Sequence, residues 1–379
     1  MKHFTAAIAA LFIALVPSMA IAETPEKPWR YVDARDLRIV NKGFDDSKQF
    51  YWRIPAELED SVRAGLWDRQ KESAGFAVRF ATNSSRIGVR YKLLANAHMP
   101  HMADTGIKGT DIYVFEGDSV WRHANTNRPA NRLDQETQYM ERLDSTRMTE
   151  YMVYLPLYDG IENIEIKVSP YATITPGDSS VIDANKRIVA YGTSILQGGC
   201  ASRTGMASTN ILSRELNSEV INLGFSGQGK MDSCMARAIA RIPDVDLFLL
   251  DPVPNCTEAM CDSLTYGFVN IIRAAHPKTP IVMVEGPIYP YARYDSFFGN
   301  YLPAKNARYR ENFERLKADF PDAPLYYVDS VNLDGVEDDG TVDGIHLTDL
   351  GFVHYVDKVL PVIRKALAES PLKKMKPNS

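Results

Sequence analysis

A serine that follows an apolar segment is the first residue of this sequence whose position suggests chemistry. It is Ser194, in the segment Tyr-Gly-Thr-Ser-Ile, and Asp343 and His346 stand three residues apart in Asp-Gly-Ile-His far downstream. A serine hydroxyl becomes a good nucleophile only when a neighbouring base takes its proton, and that base needs an acceptor for its other ring nitrogen. The three residues therefore predict hydrolysis through an acyl-enzyme, with Ser194 as nucleophile, His346 as base and Asp343 as the acid that orients the base.

The elements that must position these residues belong to a C-terminal half in which short apolar segments alternate with amphipathic ones. This alternation is typical of a parallel, doubly wound α/β sheet, in which ligands bind outside the carboxyl ends of the strands. Ser194 follows the first predicted strand, and Asp343 and His346 follow the fifth, so all three are expected at one edge of the sheet. The predicted strands cover residues 188–191, 220–223, 247–250, 281–284 and 325–328. The predicted helices cover 209–216, 231–241, 264–275, 304–318 and 349–368.

Two further residues fall at the same predicted edge. Gly224 ends the second strand segment, and Asn255 follows the third strand. A tetrahedral intermediate carries an oxyanion that needs preorganised hydrogen-bond donors. The backbone N–H groups of Ser194 and Gly224 and the side-chain amide of Asn255 are predicted to supply them, because a glycine lets the backbone come close to the substrate. In this scheme the protein supplies every reacting group, so neither a cofactor nor a metal is expected.

The N-terminal half, from about residue 30 to 180, shows the two-residue alternation of half-buried strands. The clearest segments are 76–80, 87–91, 112–115 and 164–168, and turn-forming residues separate them. Helical periodicity is scarce here. The pattern predicts an antiparallel β-sandwich of the jelly-roll kind, followed by the α/β domain over residues 181–370 and a polar, mobile tail at 371–379.

Residues 1–22 are predicted to form a secretory signal peptide. Lys2 precedes an apolar stretch that is too short to span a bilayer, and Ala20 and Ala22 fit a cleavage site. The protein is therefore expected to be secreted or periplasmic, without stable insertion in a membrane. A net charge of −5 argues against nucleic acid as a partner. The sequence does not predict an oligomeric state.

The four cysteines, Cys200, Cys234, Cys256 and Cys261, all lie in the α/β region. Export permits disulfides, and four cysteines allow three pairings. Cys256 and Cys261 could close a small local loop, which would leave Cys200 to pair with Cys234. A zinc site is less favoured, because the spacing contains no paired C-x-x-C motifs and no histidine lies within this segment.

A second group of residues could be considered as metal ligands. His98 and His101 lie near Asp104 and Asp111, but their spacing matches no recognised site, and Pro100 prevents a regular helix. A loop that leans toward the α/β region is the better interpretation. Such a loop could contact the substrate through His101.

An aromatic segment follows the fourth predicted strand and should emerge at the same edge of the sheet. Its rings could stack on sugars or wall an acyl pocket, and they could equally well pack beneath a long loop. The residues predicted to line the substrate site are Tyr289, Tyr291 and Tyr294.

The segments Gly-Thr-Ser-Ile, Asn-Leu-Gly-Phe-Ser-Gly, Pro-Asn and Asp-x-x-His, taken in order, resemble the SGNH (GDSL-like) hydrolase superfamily over residues 187–370. The resemblance implies a flavodoxin-like five-stranded sheet. It also implies that Ser194, Gly224, Asn255 and His346 are the four residues for which the family is named, with Asp343 as the acid. Two positions depart from the usual motifs: Thr193 and Cys256 each stand where an aspartate is common.

The segment Gly-Thr-Asp-Ile-Tyr at 109–113 is similar to the GxDLY motif, with Ile112 in place of leucine. That motif belongs to the β-sandwich domain that precedes some bacterial SGNH esterases. The resemblance implies an extracellular two-domain esterase that removes a short acyl group, most simply acetyl, from a carbohydrate hydroxyl.

Two alternative functions stay open. One is a lipase, lysophospholipase or thioesterase that acts on longer acyl chains. The other is a non-catalytic carbohydrate-binding protein that keeps an idle hydrolase fold. The complete set of Ser194, Asp343 and His346 argues against the second alternative.

Overall fold

The structure is a computed structural model that describes residues 28–116, 120–178 and 186–374 of the 379-residue chain. The predicted signal peptide, the junction at 179–185 and the last residues of the predicted tail lie outside the described residues. Among the helices in the described ranges, none combines the length and the apolar composition needed to cross a bilayer.

The N-terminal half is built from two antiparallel sheets. Its strands are β1 (Arg30–Asp33), β2 (Arg38–Val40), β3 (Ala77–Thr82), β4 (Arg86–Leu93), β5 (Asp111–Glu116), β6 (Val120–Thr126), β7 (Asp134–Glu141), β8 (Thr149–Tyr154), β9 (Ile161–Val168) and β10 (Ile174–Pro176). One sheet has the order β1-β9-β4-β7, and the other has β10-β3-β8-β5-β6 with β2 beside β3. Two short helices, α1 (Ala64–Arg69) and α2 (Asp104–Ile107), lie in the connections.

The two antiparallel sheets pack face to face over a shared core. Val78 and Phe80 of β3 lie in the same apolar cluster as Val89 of β4 and Ile166 of β9. Alternate side chains of a strand point to opposite faces, which is why the two-residue alternation in the sequence predicted these strands. The predicted antiparallel β-rich N-terminal half is confirmed.

The C-terminal half contains one parallel sheet with helices on both faces. Its strands are β11 (Arg187–Gly192), β12 (Glu219–Gly224), β13 (Leu247–Asp251), β14 (Ile281–Val284) and β15 (Leu325–Val328). Its helices are α3 (Ser194–Gln197), α4 (Ser208–Leu216), α5 (Ser233–Ile239), α6 (Glu258–Ala275), α7 (Ser296–Asp319) and α8 (Asp349–Glu369). The strand order β12-β11-β13-β14-β15 is that of the predicted flavodoxin-like fold, which is confirmed.

Helix α7 begins earlier than the sequence pattern predicted. Its first residue is Ser296, whereas periodicity placed the start at residue 304. Asp295 caps the helix, because its carboxylate accepts the backbone N–H groups of Phe297 and Phe298. Phe297 and Phe298, which continue the aromatic segment, therefore lie in the first turn of a helix.

The two halves of the chain share apolar cores on both faces of the parallel sheet. On one face, Ile54 and Leu66 from the N-terminal half pack in the same cluster as Tyr191 of β11. On the other face, Leu157 packs in the same cluster as Ile195 of α3. The N-terminal half thus packs against the elements that carry the candidate site. The predicted domain boundaries stay a prediction.

The Gly-Thr-Asp-Ile-Tyr motif lies at this contact between the halves. Asp111 at the start of β5 is buried, and its Oδ2 accepts the N–H of Gly205 and a guanidinium N–H of Arg203, both at 2.8 Å. Arg203 also donates to the hydroxyl of Tyr113 at 2.6 Å. The acid and the aromatic residue of the motif thus hold the segment that leads from α3 to α4.

Candidate active site

Ser194 lies where β11 turns into the short helix α3. Strand β11 ends at Gly192, and the Thr193 side chain accepts the N–H of Ile195, which caps the helix. Ser194 is the first residue of α3, so its own N–H has no partner within the helix. The side chain is close to the surface but only 7% of the residue is exposed. This turn holds the hydroxyl at the carboxyl end of a central strand.

Asp343 and His346 lie in the loop between β15 and α8, where Gly344 adopts a φ of +87°. The Oδ1 atom of Asp343 accepts the backbone N–H groups of Ile345 at 3.0 Å and of His346 at 2.8 Å. Its Oδ2 atom lies 2.8 Å from Nδ1 of His346, and Nε2 of His346 lies 3.0 Å from Oγ of Ser194. The structure therefore brings the predicted serine, histidine and acid into one continuous chain of hydrogen bonds.

The carboxyl group of Asp343 has a pKa below its ordinary value. Partial burial acts in the opposite direction, but the backbone N–H and the imidazole of His346 outweigh it, with help from the N–H of Ile345. Asp343 is therefore ionised at neutral pH and accepts the Nδ1–H of His346. With Nδ1 as a donor, Nε2 is free to accept the hydroxyl proton of Ser194.

Gly224 does not fit the predicted role of oxyanion donor. Its N–H already donates to Oδ1 of Asn222 at 2.9 Å. A Cβ atom at this position would collide with the backbone of Leu196 and Gln197 in the helix that carries the nucleophile. Gly224 is needed for the close approach of β12 to α3, and the prediction that it donates to substrate is wrong.

Gly227, in the loop that follows β12, has the properties that were expected of Gly224. It has a φ of +69°, and the place of its Cβ atom has no neighbour within 4 Å. Within the described ranges, its N–H has no hydrogen-bond partner. The loop packs closely against the turn at Ser194. Its Gly229 lies so near the carbonyl of Gly192 that a Cβ atom at Gly229 would collide with that carbonyl. The sequence analysis missed Gly227, although its Ser-Gly step is a turn signal.

Asn255 lies beside the same loop. Its amide Nδ2 donates to the carbonyl of Phe225 at 3.3 Å. An amide nitrogen carries two hydrogens, so this bond leaves a second N–H for another acceptor. Asn255 is only partly buried, which leaves its amide within reach of a ligand at this edge of the sheet.

Buried polar residues support the loop from below. The Arg53 guanidinium donates to the carbonyls of Gly224 at 2.6 Å and Asn222 at 3.3 Å. Burial lowers the pKa of Arg53 to about 10, partly opposed by Glu72, so the guanidinium stays charged at neutral pH. Sequence alone carried no signal for Arg53, because its partners stand about 170 residues away along the chain.

Gln197 connects the same loop to the helix of the nucleophile. Its Nε2 donates to Oε2 of Glu72 at 2.6 Å, and its Oε1 accepts the N–H of Ser226 at 2.8 Å. Burial raises the pKa of Glu72, opposed by Arg69 and Arg53. The last residue of α3 and the loop with Gly227 are thus held in one buried network.

The predicted substrate-lining residues fall in different environments. His101 comes from the N-terminal half, and its ring centroid lies 5.7 Å from that of His346. Tyr291 stacks on Tyr289 at 5.8 Å and borders the turn that carries the acid. Tyr289 is buried in the core, so it supports Tyr291 rather than facing the site. Tyr294 is 83% exposed.

The alternative set of metal ligands is engaged in other contacts. His98 pairs with Asp104, with 2.8 Å between Nδ1 and Oδ1. The Oδ2 of Asp111 is held by Arg203 and Gly205. Of the two histidines in this loop, only His101 lies next to the candidate active site.

All four cysteines have free thiols, which corrects the predicted disulfides. Cys200 belongs to the core on one face of the parallel sheet, whereas Cys234 packs against the core on the opposite face, so these two cannot pair. Cys256 and Cys261 are neighbours, and their thiols influence each other: the pKa of Cys256 is raised and that of Cys261 is lowered.

Comparison with known proteins agrees with this geometry. Residues 185–364 match the GDSL-like lipase/acylhydrolase family, and residues 29–174 match the GxDLY family, the N-terminus of SGNH-hydrolase-type esterases. No curated protein matches the chain.

Solved structures of similar proteins cover nearly the whole chain. A protein from Bacteroides ovatus ATCC 8483 described as a GDSL-like lipase is 32% identical, with a TM-score of 0.84 over 90% of this chain and 98% of its own. The salicylyl-acyltransferase SsfX3 from a tetracycline biosynthetic pathway is 19% identical, with a TM-score of 0.71 over 89% and 97%. A family two carbohydrate esterase from Cellvibrio japonicus is 12% identical, with a TM-score of 0.58 over 90% and 98%. The last two show a common fold. The first, together with the matched families, shows that this chain belongs to the GDSL-like (SGNH) lipase/acylhydrolase family, with a GxDLY-type N-terminal region.

Proposed function

We propose that the protein is an exported serine esterase that removes short acyl groups, above all acetyl, from carbohydrate hydroxyls. The observation that carries the proposal is the chain of hydrogen bonds from Asp343 through His346 to Ser194, at 2.8 and 3.0 Å. Such a chain lets a neutral imidazole take the serine proton during attack and stabilises the imidazolium that forms.

In the first step, Oγ of Ser194 attacks the ester carbonyl carbon while its proton passes to Nε2 of His346. The carbonyl oxygen becomes an oxyanion. We assign its donors as the N–H of Ser194, the N–H of Gly227 and the side-chain amide of Asn255, which lie on neighbouring loops of one sheet edge. Gly227 takes the place that was first assigned to Gly224.

The intermediate then collapses. The bond from the acyl carbon to the carbohydrate oxygen breaks, and the imidazolium of His346 gives its proton to that oxygen. Water attacks the acyl-enzyme in the second half of the reaction, with His346 again taking a proton, and the carboxylic acid leaves as Ser194 regains its hydrogen. The protein supplies every group that these steps use.

Two observations support a carbohydrate ester as the substrate. The fold is shared with a carbohydrate esterase. Aromatic rings border the site: Tyr291 lies beside the turn of Asp343, and Phe298 packs edge-on against Tyr291. Phe297, which packs against Phe298, is 62% exposed. Exposed aromatic faces suit the apolar faces of sugar rings. These features favour a carbohydrate ester over a long acyl chain.

The first test is the rate of acetate release from an aryl acetate by wild type and Ser194→Ala. We expect a loss of at least about 10³-fold in kcat, because the nucleophile is absent. Ser263→Ala is the matched control, since Ser263 is exposed on α6 and bonds only to its own helix at Ala259. Equal rates for wild type and Ser194→Ala would refute the proposal.

The second test separates the substrate classes. Acetate release is measured on acetylated xylan, pectin, mannan and bacterial polysaccharides, beside a series of aryl esters from acetyl to dodecanoyl. A kcat/KM that falls with acyl length supports the carbohydrate acetylesterase. A preference for the longest esters would instead identify a lipase or thioesterase. Glycan binding without any turnover would identify the non-catalytic alternative.

A further inference from the structure

Three side chains with metal-binding atoms meet beside the nucleophile. They are His101, Cys200 and His346, and their ligand atoms all lie within 4.8 Å of one another. They come from three different places in the chain: a loop of the N-terminal half, the turn after α3 and the loop before α8. The proposed reaction uses His346 but has no use for Cys200, whose position needs another explanation.

The position of Cys200 is well defined. The residue is buried and adopts a φ of +71°, a backbone conformation that residues other than glycine seldom take. Gly199 before it has no side chain, and a Cβ there would come 3.1 Å from the His346 ring. The turn therefore brings Cys200 close to the imidazole of His346 without filling the space between them.

The donor set suits one class of metal. Two imidazole nitrogens and one thiolate sulfur are ligands that Zn²⁺ prefers, whereas Mg²⁺ and Ca²⁺ prefer oxygen. In a tetrahedral zinc site, bonds of about 2.0–2.3 Å keep ligand atoms about 3.3–3.8 Å apart. The cluster must therefore close by about 1 Å. His101 is exposed on its loop and can supply that movement, while Cys200 is fixed in the core and His346 is held by Asp343.

We propose that His101, Cys200 and His346 form a zinc site that inhibits the esterase. Zn²⁺ would bind Nε2 of His346, the nitrogen that otherwise accepts the proton of Ser194, so metal and substrate reaction exclude each other. Asp343 already accepts the Nδ1–H of His346, as carboxylates commonly do behind a zinc-bound histidine. The inhibitory consequence rests on the proposed function, whereas the metal site itself does not.

Binding can be written as a balanced exchange. Burial, with the neighbouring charge of Asp343, raises the pKa of the Cys200 thiol to about 12, so the free protein holds the S–H form. Zn²⁺ forms a bond to sulfur as the thiol proton passes to water, and it takes the nitrogen lone pairs of His101 and His346 without loss of a proton. One proton is released for each metal ion bound.

The inhibition test titrates free Zn²⁺, set with a chelator, against hydrolysis of an aryl acetate, and each variant is compared with its own zinc-free rate. Wild type should be inhibited, recover when excess chelator is added and be unaffected by Mg²⁺. His101→Ala and Cys200→Ser should each raise the half-inhibitory concentration at least about tenfold.

Matched controls are available for both substitutions. His98→Ala removes the other histidine of the same loop, which pairs with Asp104, and Cys234→Ser removes a cysteine whose thiol donates to the carbonyl of Ser61. Both should be inhibited like wild type. Equal inhibition of wild type, His101→Ala and Cys200→Ser would overturn the proposal, as would activation by Zn²⁺ or no effect at all.

A spectroscopic test separates the metal site from the esterase. Co²⁺ is added to Ser194→Ala, which has the full ligand set but no nucleophile. We expect the visible bands of tetrahedral Co²⁺ and a thiolate charge-transfer band, both lost in the double variant with Cys200→Ser. If the bands form and no ester is hydrolysed by wild type, the esterase proposal fails and the metal site stands. If no band depends on Cys200, the site itself is refuted. Should Cys200→Ser fail to fold, as judged by circular dichroism, His101→Ala in the same background decides.

Discussion

The C-terminal and N-terminal halves contribute to the same site in different ways. In the C-terminal half, the side chain of His346 contacts those of Ser194 and Asp343 directly, at one sheet edge. In the N-terminal half, Arg53 and Asp111 contact the backbone of the C-terminal half instead. One half thus holds the reacting groups, and the other holds the loops that carry them.

This difference has a physical basis. Chemistry needs side chains whose ends are free to meet a ligand, and loops at the ends of parallel strands provide them. Holding a loop needs buried donors and acceptors whose bonds are expensive to lose, because no water replaces them. The comparison predicts that substitutions in the first group abolish turnover at little cost in stability. Substitutions in the second group should cost stability first.

The largest effect is expected for Asp343→Asn. The amide cannot hold His346 in the tautomer whose Nε2 accepts the serine proton, so kcat should fall about 10⁴-fold, or about 5 kcal/mol in the barrier. The midpoint of urea unfolding should change little. Asp338→Asn, in the same loop but paired with exposed Arg293, is the control and should keep wild-type turnover. An Asp343→Asn enzyme with a tenth of wild-type kcat would contradict the assignment.

Arg53→Met should have the next largest effect, this time on stability. It leaves the carbonyls of Gly224 and Asn222 without this donor and removes one of the two arginines that face the buried Glu72, so the free energy of unfolding should fall by about 3–5 kcal/mol. Turnover of the folded fraction should fall about 10–100-fold as the Gly227 loop loses support. Arg35→Met removes an exposed arginine of the same half and serves as control. Unchanged stability would remove the distinction between the two halves.

Asp111→Asn tests the GxDLY motif as a structural contact. The amide oxygen can still accept the N–H of Gly205 while the amide N–H faces the Thr126 hydroxyl, but the guanidinium of Arg203 loses its charge partner, so the free energy of unfolding should fall by about 1–3 kcal/mol. Urea unfolding followed by circular dichroism measures this loss. Glu116→Gln, at the other end of β5, removes an exposed carboxylate paired with exposed Arg122 and should cost less than about 1 kcal/mol. If the two variants lower the free energy of unfolding by the same amount, the buried contact at Asp111 has no special role.

The last effect depends on pH and concerns an acid in the C-terminal half that takes no part in the proposed reaction. Burial raises the pKa of Asp251 to about 8, opposed only by a hydrogen bond from Tyr355. In the unfolded chain the pKa is about 4, so the stabilisation is complete below about pH 4 and is lost as the pH rises to about 8. Stability should fall by up to about 1.4 kcal/mol per pH unit in that window.

Asp251→Asn should flatten this dependence, because the amide is neutral at every pH. Unfolding free energies at pH 5 and pH 8 measure the difference, with Asp262→Asn on the surface of α6 as the control. A variant whose stability falls between these pH values as steeply as that of wild type would show that Asp251 does not retain its proton in the fold.

Local pattern was enough to predict most of the fold. The strands at β14 and β15 were predicted to the residue, because a parallel strand between helices is a short apolar run flanked by turn signals. The start of α7 was missed, since the cap at Asp295 follows an aromatic segment that lacks helical periodicity. Polar residues beneath the site were missed for a different reason: their bonds join parts of the chain far apart in sequence.

The amino-acid sequence by itself determined the order of strands and helices and the residue types available at one sheet edge. For that reason Ser194, Asp343 and His346 could be named before any coordinates were known. Tertiary structure alone decided that the N–H of Gly227, and not that of Gly224, is available to a ligand. It also decided that Cys200 has His346 as its neighbour and not Cys234, and that Arg53 supports the loop after β12. Periodicity reports which face of an element is buried, whereas the direction of one N–H, or the meeting of two distant side chains, depends on how the whole chain packs.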